Sequence, residues 1–530
     1  MKIALTYAPS EQQFIPVPPL GIAVLCSYLK DQDIFVDMFD LELELWLSQD
    51  CSSSQLAHCN IDDVEISNTI NLERIAELLL TYHVVCFSIM GKRQLPYVKS
   101  IIEKLKLNSN FTTSVIGGAL LIEDNAYDIL KKISADYAVV GEGWNPLHQV
   151  LRKITTGVYD KNTVKVQEKD GKFIFYNNEK KNSVIPIADY SNINLEGYIT
   201  QQKSIYKLDY NEVTYQLLVG DRCCPYNCSF CRISKNTETI KNAKDISKEM
   251  IALNDLFECN NFSLICNEMN PTKDFVLDLV NTLIASKKKL KWFCYLRPNN
   301  LSINDFQKIK EAGCVLARFG VESGSQKILN HMNKKLYVDE MEQILIDSHH
   351  VGIWNHINVM TGYLYENNND IENTLSFLRR NKDYIDSVRI NPFFVPIGSP
   401  IHKDPSRFDI EIIQDTGSHI IFNQTDLNWD EKKKQINYST SLILNECKNL
   451  GIGFAGILPN LVSTALCYFN DKVQAKSWLF ENHSYLWQPV SPDTAKWKLA
   501  HPESNNIEIN PWSKIAGERG ENYQTRINNE

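Results

Sequence analysis

Two long stretches of the chain alternate between short, β-branched apolar runs and amphipathic segments, and this alternation restricts the folds open to it. Apolar strands that alternate with helices are typical of a parallel sheet covered on both faces. The stretches are residues 1–152 and residues 205–400. We therefore predict an α/β protein with two such regions, in which the chemistry lies at the carboxyl ends of the strands.

The first stretch predicts a doubly wound parallel sheet of the Rossmann-like kind. The polar segment 49–70 interrupts the alternation and is predicted to be a long loop. The predicted strands are Lys2–Tyr7, Ile34–Phe39, His83–Ile89, Thr113–Ile116 and Ala135–Val140. The predicted helices are Gly21–Lys30, Leu72–Thr81, Pro96–Lys106 and Asn125–Lys132.

The second stretch contains six apolar runs with amphipathic segments between them, which favours a partial (β/α)6 TIM-like barrel over a second open sheet. The predicted strands are Val213–Val219, Asn261–Cys266, Leu290–Leu296, Cys314–Gly320, Trp354–Met360 and Ser387–Val395. The predicted helices lie near 243–258, 271–287, 303–313, 338–350 and 368–384.

The remaining segments have other patterns. Residues 153–204 are predicted to form a hairpin, with its turn at Lys169-Asp170-Gly171, and an irregular linker. Residues 401–500 are predicted to be a helical C-terminal region, in which the uncharged run 451–470 forms a buried helical pair. Residues 501–530 form a polar tail, which we expect to be loosely ordered.

Composition excludes several classes of protein. The formal net charge of −9 disfavours nucleic-acid binding, which needs clustered Lys and Arg. The N-terminal residues contain no apolar signal-peptide core, and no run resembles a membrane span, so we expect a cytoplasmic protein. Most of the 14 cysteines are scattered singly in apolar surroundings, and a disulfide framework is not expected in a reducing compartment.

One group of cysteines is different. Cys224, Cys228 and Cys231 directly follow the first strand of the second stretch with the spacing C-x3-C-x2-C. A compact loop of this kind can present three thiolates to one iron–sulfur cubane, which usually takes four cysteines. Three ligands would leave one iron open to a cofactor or substrate.

Two other metal sites compete with this interpretation. A zinc site would use a second C-x2-C or a spaced His pair, and the chain has neither. A ferredoxin-like site would use Cys223 with Cys228 and Cys231, and would need Cys259 or Cys266 as a fourth ligand. A small electron carrier, however, needs neither a barrel nor a further domain.

Around these cysteines the chain resembles the radical S-adenosylmethionine superfamily over roughly residues 205–400. The resemblance rests on the cysteine loop with Phe230, on Gly320-Val-Glu-Ser-Gly-Ser325 and on Met360-Thr-Gly-Tyr-Leu-Tyr-Glu366. It implies that the three cysteines bind a [4Fe–4S] cluster and that S-adenosylmethionine chelates the fourth iron. It also implies reductive cleavage of S-adenosylmethionine to a carbon radical, with electrons from an external donor of the flavodoxin or ferredoxin type.

The same resemblance implies a set of residues that contact S-adenosylmethionine. Phe230 would lie at the adenine, and Glu268 at the methionine amino group, although Asn267-Glu268 departs from the usual Gly-Gly-Glu pattern. Glu322 and Ser323 would reach the ribose or the methionine. Gly362 would allow the backbone to approach the adenosine closely.

The N-terminal stretch resembles the cobalamin-binding domain found in one subclass of this superfamily. No Asp-x-His-x-x-Gly is present, so the resemblance names no lower cobalt ligand. The alternative is a related sheet that no longer binds a corrin. The matching residues are Pro18-Pro19-Leu20-Gly21, Ser88, Gly117, Gly118, Asp136-Tyr137, Gly141, Glu142 and Gly143, and those expected at cobalamin are Ser88, Gly117, Gly118, Gly141 and Glu142.

These resemblances imply a cobalamin-dependent enzyme that methylates an unactivated carbon of a small-molecule or peptide substrate. Ring formation or rearrangement, a radical enzyme without cobalamin, a tRNA-modifying enzyme, and an iron–sulfur redox or sensor protein are the alternatives. No residue is predicted to be the catalytic acid or base. Four residues could donate hydrogen to a substrate radical, but each fits a packed barrel residue better: Tyr295, Trp354, His356 and Tyr363. Polar groups at or within the barrel strands are candidates for binding substrate: Arg297, Arg318, Arg389 and Asn391.

Overall fold

The computed structural model describes residues 1–10, 16–48, 69–107, 113–123, 125–178, 186–220, 224–233, 241–416, 419–454 and 459–488. The chain divides into two compact units, Met1–Leu217 and Leu218–Glu530. Two predicted segments lie outside the described residues. They are residues 49–68 of the predicted loop 49–70 and the whole predicted tail, residues 501–530. No helix in these described ranges is long and apolar enough to cross a membrane.

The first unit contains a seven-stranded sheet with the order β2-β1-β3-β4-β5-β7-β6. Every pair is parallel except β6 and β7. The strands are β1 (Ile3–Tyr7), β2 (Asp37–Asp40), β3 (Val84–Ser88), β4 (Thr113–Gly117), β5 (Tyr137–Val140), β6 (Val164–Lys169) and β7 (Lys172–Asn177). The helices are α1 (Leu20–Lys30), α2 (Leu41–Ser48), α3 (Thr69–Leu79), α4 (Leu95–Lys106), α5 (Ala126–Lys132), α6 (Trp144–Thr156) and α7 (Leu195–Tyr206).

Strand β3, inside the sheet, is apolar over its first four residues because both faces of the sheet are covered there. Along β3, Val85 and Phe87 belong to one buried cluster, whereas Val84 and Cys86 belong to the other. Adjacent residues of a strand point to opposite faces. A continuous apolar run therefore stabilises a strand that is buried on both faces. The predicted doubly wound sheet is confirmed.

The hairpin of residues 164–177 forms as predicted, but it is not a separate segment. Strand β7 pairs in parallel with β5, and the rings of Tyr137 and Phe173 stack with centroids 5.5 Å apart. The linker predicted for residues 185–198 is also wrong in part, because α7 begins at Leu195. Asn194 caps this helix by accepting a hydrogen bond from the Gly197 amide at 2.9 Å.

The second unit contains a six-stranded sheet whose order, β13-β12-β11-β10-β9-β8, follows the chain, as in the predicted partial barrel. The boundary between the units falls inside β8. The strands are β8 (Thr214–Leu218), β9 (Asn261–Ile265), β10 (Lys291–Leu296), β11 (Cys314–Glu322), β12 (Trp354–Thr361) and β13 (Ser387–Pro392). The helices are α8 (Ala243–Phe257), α9 (Lys273–Ser286), α10 (Ile303–Glu311), α11 (Gln326–His331), α12 (Val338–His350) and α13 (Asn368–Arg380).

The region after the barrel is less helical than predicted. A small antiparallel sheet of β14 (Val395–Pro396), β15 (Ile410–Asp415) and β16 (His419–Gln424) precedes most of its helices. Strand β16 alternates buried and partly exposed residues, with Ile420 and Phe422 buried, which is a strand pattern rather than a helical one. The helices are α14 (Pro400–Lys403), α15 (Trp429–Asn449), α16 (Pro459–Phe469) and α17 (Lys472–Asn482), so the predicted pair in 451–470 is a single helix in the described residues.

Contacts with the helices identify the two faces of the barrel strands. Phe319 of β11 meets Phe306 of α10 edge-on at 6.4 Å. Asn355 of β12 accepts a hydrogen bond from Ser348 of α12 at 2.7 Å. These residues therefore face outward, and Arg318 and His356, one step along each strand, lie on the inner face.

Candidate metal and cofactor site

The cysteine loop lies at the carboxyl end of β8. Cys228 is buried, and Cys224 and Cys231 are partly exposed free thiols. Burial raises the pKa of Cys224 to about 12, and Glu268, Cys228 and Cys231 add to this shift, so the three thiols share one electrostatic environment. In the described part of the chain, no three His, Cys, Asp or Glu side chains form a group that could hold a metal ion. A cubane takes each thiolate at a different iron, and three thiols of one loop are a suitable donor set for it.

The segment between Cys228 and Cys231 is held by the barrel. The Ser229 amide donates a hydrogen bond to the Met332 carbonyl at 2.9 Å, and the Ser229 and Tyr363 hydroxyls lie 2.8 Å apart. Tyr363, which follows β12, is fully buried. Its hydroxyl therefore positions the cysteine loop, a role that sequence analysis did not assign to it.

Glu268 lies beside this loop, where the resemblance predicted it. Its Oε2 atom is 3.7 Å from the Cys224 sulfur, and its buried Oε1 atom has no hydrogen-bond partner among the residues that the structure describes. Burial raises the pKa of Glu268 to about 7, although the nearby positive charge of Arg297 opposes this shift. An unsatisfied buried acceptor costs about 1–3 kcal/mol, so this oxygen is suited to receive a donor from a ligand.

Arg297 and Asn299, which follow β10, are the second source of unsatisfied polar atoms. Within the described part of the chain, the Arg297 Nε and Asn299 Oδ1 atoms are buried without a hydrogen-bond partner. The Arg297 guanidinium lies 3.7 Å from the ring centroid of Tyr226, which is inside the cysteine loop. Sequence analysis placed Arg297 at a barrel strand but did not bring it to the cysteines. Its position immediately after a strand was the available signal.

Glu322 is a second carboxylate near the cysteine loop, because its charge adds to the burial that raises the pKa of Cys231. It ends β11 after an irregularity in the pairing with β12, and its φ is +66°. Its Oε1 atom accepts a hydrogen bond at 3.1 Å from Lys334, which is 8% exposed. The Lys334 ammonium also lies 5.7 Å from the ring centroid of Phe230. Phe230, Lys334 and Glu322 therefore form a continuous row, and sequence analysis missed Lys334.

Ser323 and Gly362 have structural partners of their own. Ser323 is 1% exposed, and its hydroxyl accepts a hydrogen bond from the Ser325 amide at 3.1 Å. At Gly362 φ is +71°, and an added Cβ would lie 2.8 Å from the Cα atom of Ile436 in α15. The close approach that requires this glycine is therefore made by α15, whereas its expected contact with adenosine stays a prediction.

The residues predicted at cobalamin gather at one edge of the first sheet. Ser88 and Gly117 are register partners at the ends of β3 and β4. Gly118 has φ of +103°, and a Cβ there would lie 2.6 Å from the Ile89 amide nitrogen, so backbone packing requires it. Gly141 also has a positive φ, but no atom of the described residues lies within 4 Å of its absent Cβ.

Glu142, the last of these residues, follows Gly141 and is partly exposed. Its Oε2 atom lies 3.5 Å from the Asn177 side-chain amide nitrogen. Together with the strand-end glycines, it lines the carboxyl edge of the sheet, where open α/β sheets bind ligands.

Comparisons with known proteins agree with this architecture. Residues 221–378 match the Radical SAM superfamily. An uncharacterized methyltransferase of Pyrococcus horikoshii is 20% identical over 403 residues, which cover 74% of this chain and 81% of that protein.

Two kinds of solved structure share the fold. The radical S-adenosylmethionine methyltransferase TsrM from Kitasatospora setae, with cobalamin and a [4Fe–4S] cluster bound, has a TM-score of 0.55 and 13% identity over 79% of this chain and 82% of its own. The cobalamin-dependent S-adenosylmethionine radical enzyme OxsB, with aqua-cobalamin and S-adenosylmethionine bound, has a TM-score of 0.60 and 14% identity over 100% of this chain and 79% of its own.

Proposed function

We propose that this chain, which carries a radical S-adenosylmethionine domain at residues 221–378, is a cobalamin-dependent radical enzyme that methylates an unactivated carbon of a small-molecule or peptide substrate. The observation that carries the proposal is the loop of Cys224, Cys228 and Cys231 beside the unsatisfied Glu268 oxygen. When bound, the [4Fe–4S] cluster supplies the electron that cleaves S-adenosylmethionine, and cobalamin supplies a carrier for the methyl group.

The polar residues around the loop match the two charged ends of a methionine. The Glu268 Oε1 atom is an acceptor for the ammonium group, and the Arg297 Nε–H is a donor for the carboxylate. Both atoms are buried, so each hydrogen bond would act in surroundings where electrostatic attraction is strong. In this assignment Glu268 and Arg297 bind and orient S-adenosylmethionine beside the cysteines.

Phe230 and the pair Glu322–Lys334 are assigned to the nucleoside end. The aromatic ring of Phe230 offers an apolar surface next to the cluster loop, and Glu322 offers carboxylate oxygens to ribose hydroxyls. Lys334 holds Glu322 in place through the 3.1 Å hydrogen bond. Ser323 and Gly362 would then shape the backbone on which this carboxylate stands.

The first unit is assigned to cobalamin. The support is the set of Ser88, Gly117, Gly118, Gly141 and Glu142 on neighbouring strand ends, of which Gly141 has no atom within 4 Å of its absent Cβ. The fold shared with TsrM and OxsB gives further support. We assign no lower cobalt ligand, and we expect an external flavodoxin or ferredoxin to deliver electrons in the cytoplasm.

The proposal is tested with anaerobically purified protein reconstituted with iron and sulfide. It is given hydroxocobalamin, dithionite and S-adenosylmethionine, and its products are measured by mass spectrometry. We expect 5′-deoxyadenosine, S-adenosylhomocysteine and a corrin that stays with the protein through gel filtration. If 5′-deoxyadenosine forms without a retained corrin, the cobalamin assignment is wrong. An intact cluster that binds S-adenosylmethionine without cleaving it would instead support a redox or sensor protein.

The Glu268→Gln variant tests the assignment of individual residues. Because a hydrogen bond to a charged group is worth about 1.5–3 kcal/mol, its loss should weaken S-adenosylmethionine binding roughly 10- to 100-fold. Iron content should stay unchanged, because Glu268 is not assigned as an iron ligand. The matched control is Glu311→Gln, which changes an exposed glutamate at the end of α10.

A further inference from the structure

We infer that the inner face of the barrel binds an oxyanion of the substrate, a carboxylate or a phosphate, between Arg318 and Arg389. This inference rests on the proposed function and deepens it, because it names the chemical class of the substrate. Arg318 lies deeper along the strands than the residues assigned to S-adenosylmethionine.

The strand register places one continuous row of side chains on the inner face. Tyr295 of β10 pairs with Arg318 of β11, Arg318 pairs with His356 of β12, and His356 pairs with Ser387 of β13. Residues paired in this way lie side by side on the same face of a sheet. Arg318 is therefore flanked by a phenol and an imidazole.

A second row lies two residues closer to the carboxyl ends of the strands. It consists of Gly320, Asn358 and Arg389, again in direct register. These three residues and Arg318 are partly exposed, whereas their neighbours Phe319, Ile357 and Val388 are fully buried against the outer layer. The inner face is therefore accessible, and its accessible groups are polar.

Aromatic rings support Arg318. Its guanidinium lies 5.2 Å from the ring centroid of Phe293 and 5.1 Å from that of Tyr295. Within the described residues, the Arg318 guanidinium donates its hydrogen bond to the Tyr295 hydroxyl at 3.3 Å and not to a carboxylate. A guanidinium held against aromatic rings keeps the rest of its planar fork available, and this fork matches carboxylate and phosphate oxygens.

The lowered pKa of His356 indicates that the electrostatic potential around its ring is positive. His356 is buried, and its pKa is lowered to about 3, first by burial and then by the charges of Arg318 and Arg389. Hydrogen bonds with Asn358 and Ser387 oppose this shift only in part. Because both charged groups that act on this imidazole are cations, an anion placed between them would be attracted.

The position of Arg318 separates this site from the methionine carboxylate. Arg318 pairs with Tyr295, which precedes Arg297 by two residues in the chain. At about 3.3 Å per residue, Arg318 therefore lies roughly 7 Å deeper along the strands than Arg297. Arg297 at the cysteine loop serves the methionine carboxylate in the proposed function. An anion at Arg318 would thus anchor a substrate whose other end reaches toward the cofactors.

The test measures binding of two probes, succinate and inorganic phosphate, to the reconstituted enzyme saturated with S-adenosylmethionine, by isothermal titration calorimetry. We expect saturable binding of at least one probe. Because each arginine supplies charged hydrogen bonds, Arg318→Gln and Arg389→Gln should each weaken binding about tenfold or more. The control is Arg380→Gln, an exposed arginine of α13, which should bind like the unchanged protein.

The two probes distinguish the sources of the oxyanion. Tighter binding of succinate supports a carboxylate substrate, and tighter binding of phosphate supports a phosphorylated one. Binding of neither probe to the saturated enzyme, or equal binding by the arginine variants and the unchanged protein, overturns the inference. Arg318→Lys, which keeps the charge but loses the fork, should bind with intermediate affinity and gives a second variant if Arg318→Gln does not fold.

The same preparations are assayed for 5′-deoxyadenosine, which separates the two proposals. Absence of 5′-deoxyadenosine from the unchanged protein counts against the proposed function. Its presence together with failed or arginine-independent probe binding counts against the oxyanion site alone.

Discussion

Lys334 donates a hydrogen bond to Glu322 at 3.1 Å, and both residues are largely buried at the end of β11. Removal of one partner from a buried ion pair leaves the other charge uncompensated, which costs about 3–5 kcal/mol. We therefore expect Lys334→Met to lower the thermal unfolding midpoint of the protein. The double variant Lys334→Met with Glu322→Gln should recover much of the loss. If the double variant is as unstable as the single one, the pair does not account for the effect.

The cysteine assignment predicts a sharp difference between adjacent residues. Cys224→Ala, Cys228→Ala and Cys231→Ala should each abolish formation of 5′-deoxyadenosine, because each removes an iron ligand. Cys223→Ala should retain most of it, although Cys223 lies outside the described residues. Iron content and mass spectrometry check the prediction. A Cys223 variant as inactive as the other three would show that the wrong triad was chosen.

A substitution at Gly362 tests whether packing or a bound cofactor requires a glycine at this position. Gly362→Ala should destabilise the protein without any ligand, because a Cβ would collide with Ile436 and φ is +71°. The strain of a positive φ costs about 1–2 kcal/mol, and overpacking adds about 1–3 kcal/mol. The control is Gly398→Ala, where φ is +85° but nothing lies within 4 Å. Equal changes in the thermal midpoint would contradict the packing argument.

We predict that the stability of the first unit depends on pH through the carboxyl group of Asp40. Burial raises its pKa to about 6, although hydrogen bonds from Tyr198, Leu43 and Glu42 oppose this shift. Because the folded pKa lies above the unfolded value of about 3.9, the folded state favours the protonated acid. The contribution of Asp40 to stability is therefore largest below pH 4 and is lost as the pH rises through about 6.

The variant Asp40→Asn isolates this effect. Its amide is neutral at every pH and can still accept the hydrogen bonds from the Glu42 and Leu43 amides. We expect its thermal midpoint to gain on that of the unchanged protein as the pH is raised from 4 to 7. A difference between the two proteins that does not change with pH would refute the prediction.

Local patterns were sufficient for much of the fold. All six barrel strands begin within one residue of the predicted start. Like the crossover helices, they follow from apolar periodicity, because burial of one face imposes its period on nearby residues. Apolar periodicity did not predict pairing between segments that are distant in the sequence. Strand β7 joins the first sheet by pairing with Tyr137 and the rest of β5, and no local signal in residues 172–177 specifies that neighbour.

The sequence by itself determined the alternation of strands and helices and the cysteine spacing, since both are properties of neighbouring residues. Only the tertiary structure decided that Lys334 meets Glu322, that Arg297 reaches the cysteine loop, and that Arg318 and Arg389 share one face. Lys334 meets Glu322 because the segment after β11 folds back on the end of that strand. The other residues lie on or after different strands, and parallel strands in register bring them side by side. Such a contact depends on the packing of the whole sheet, and so no spacing along the chain encodes it.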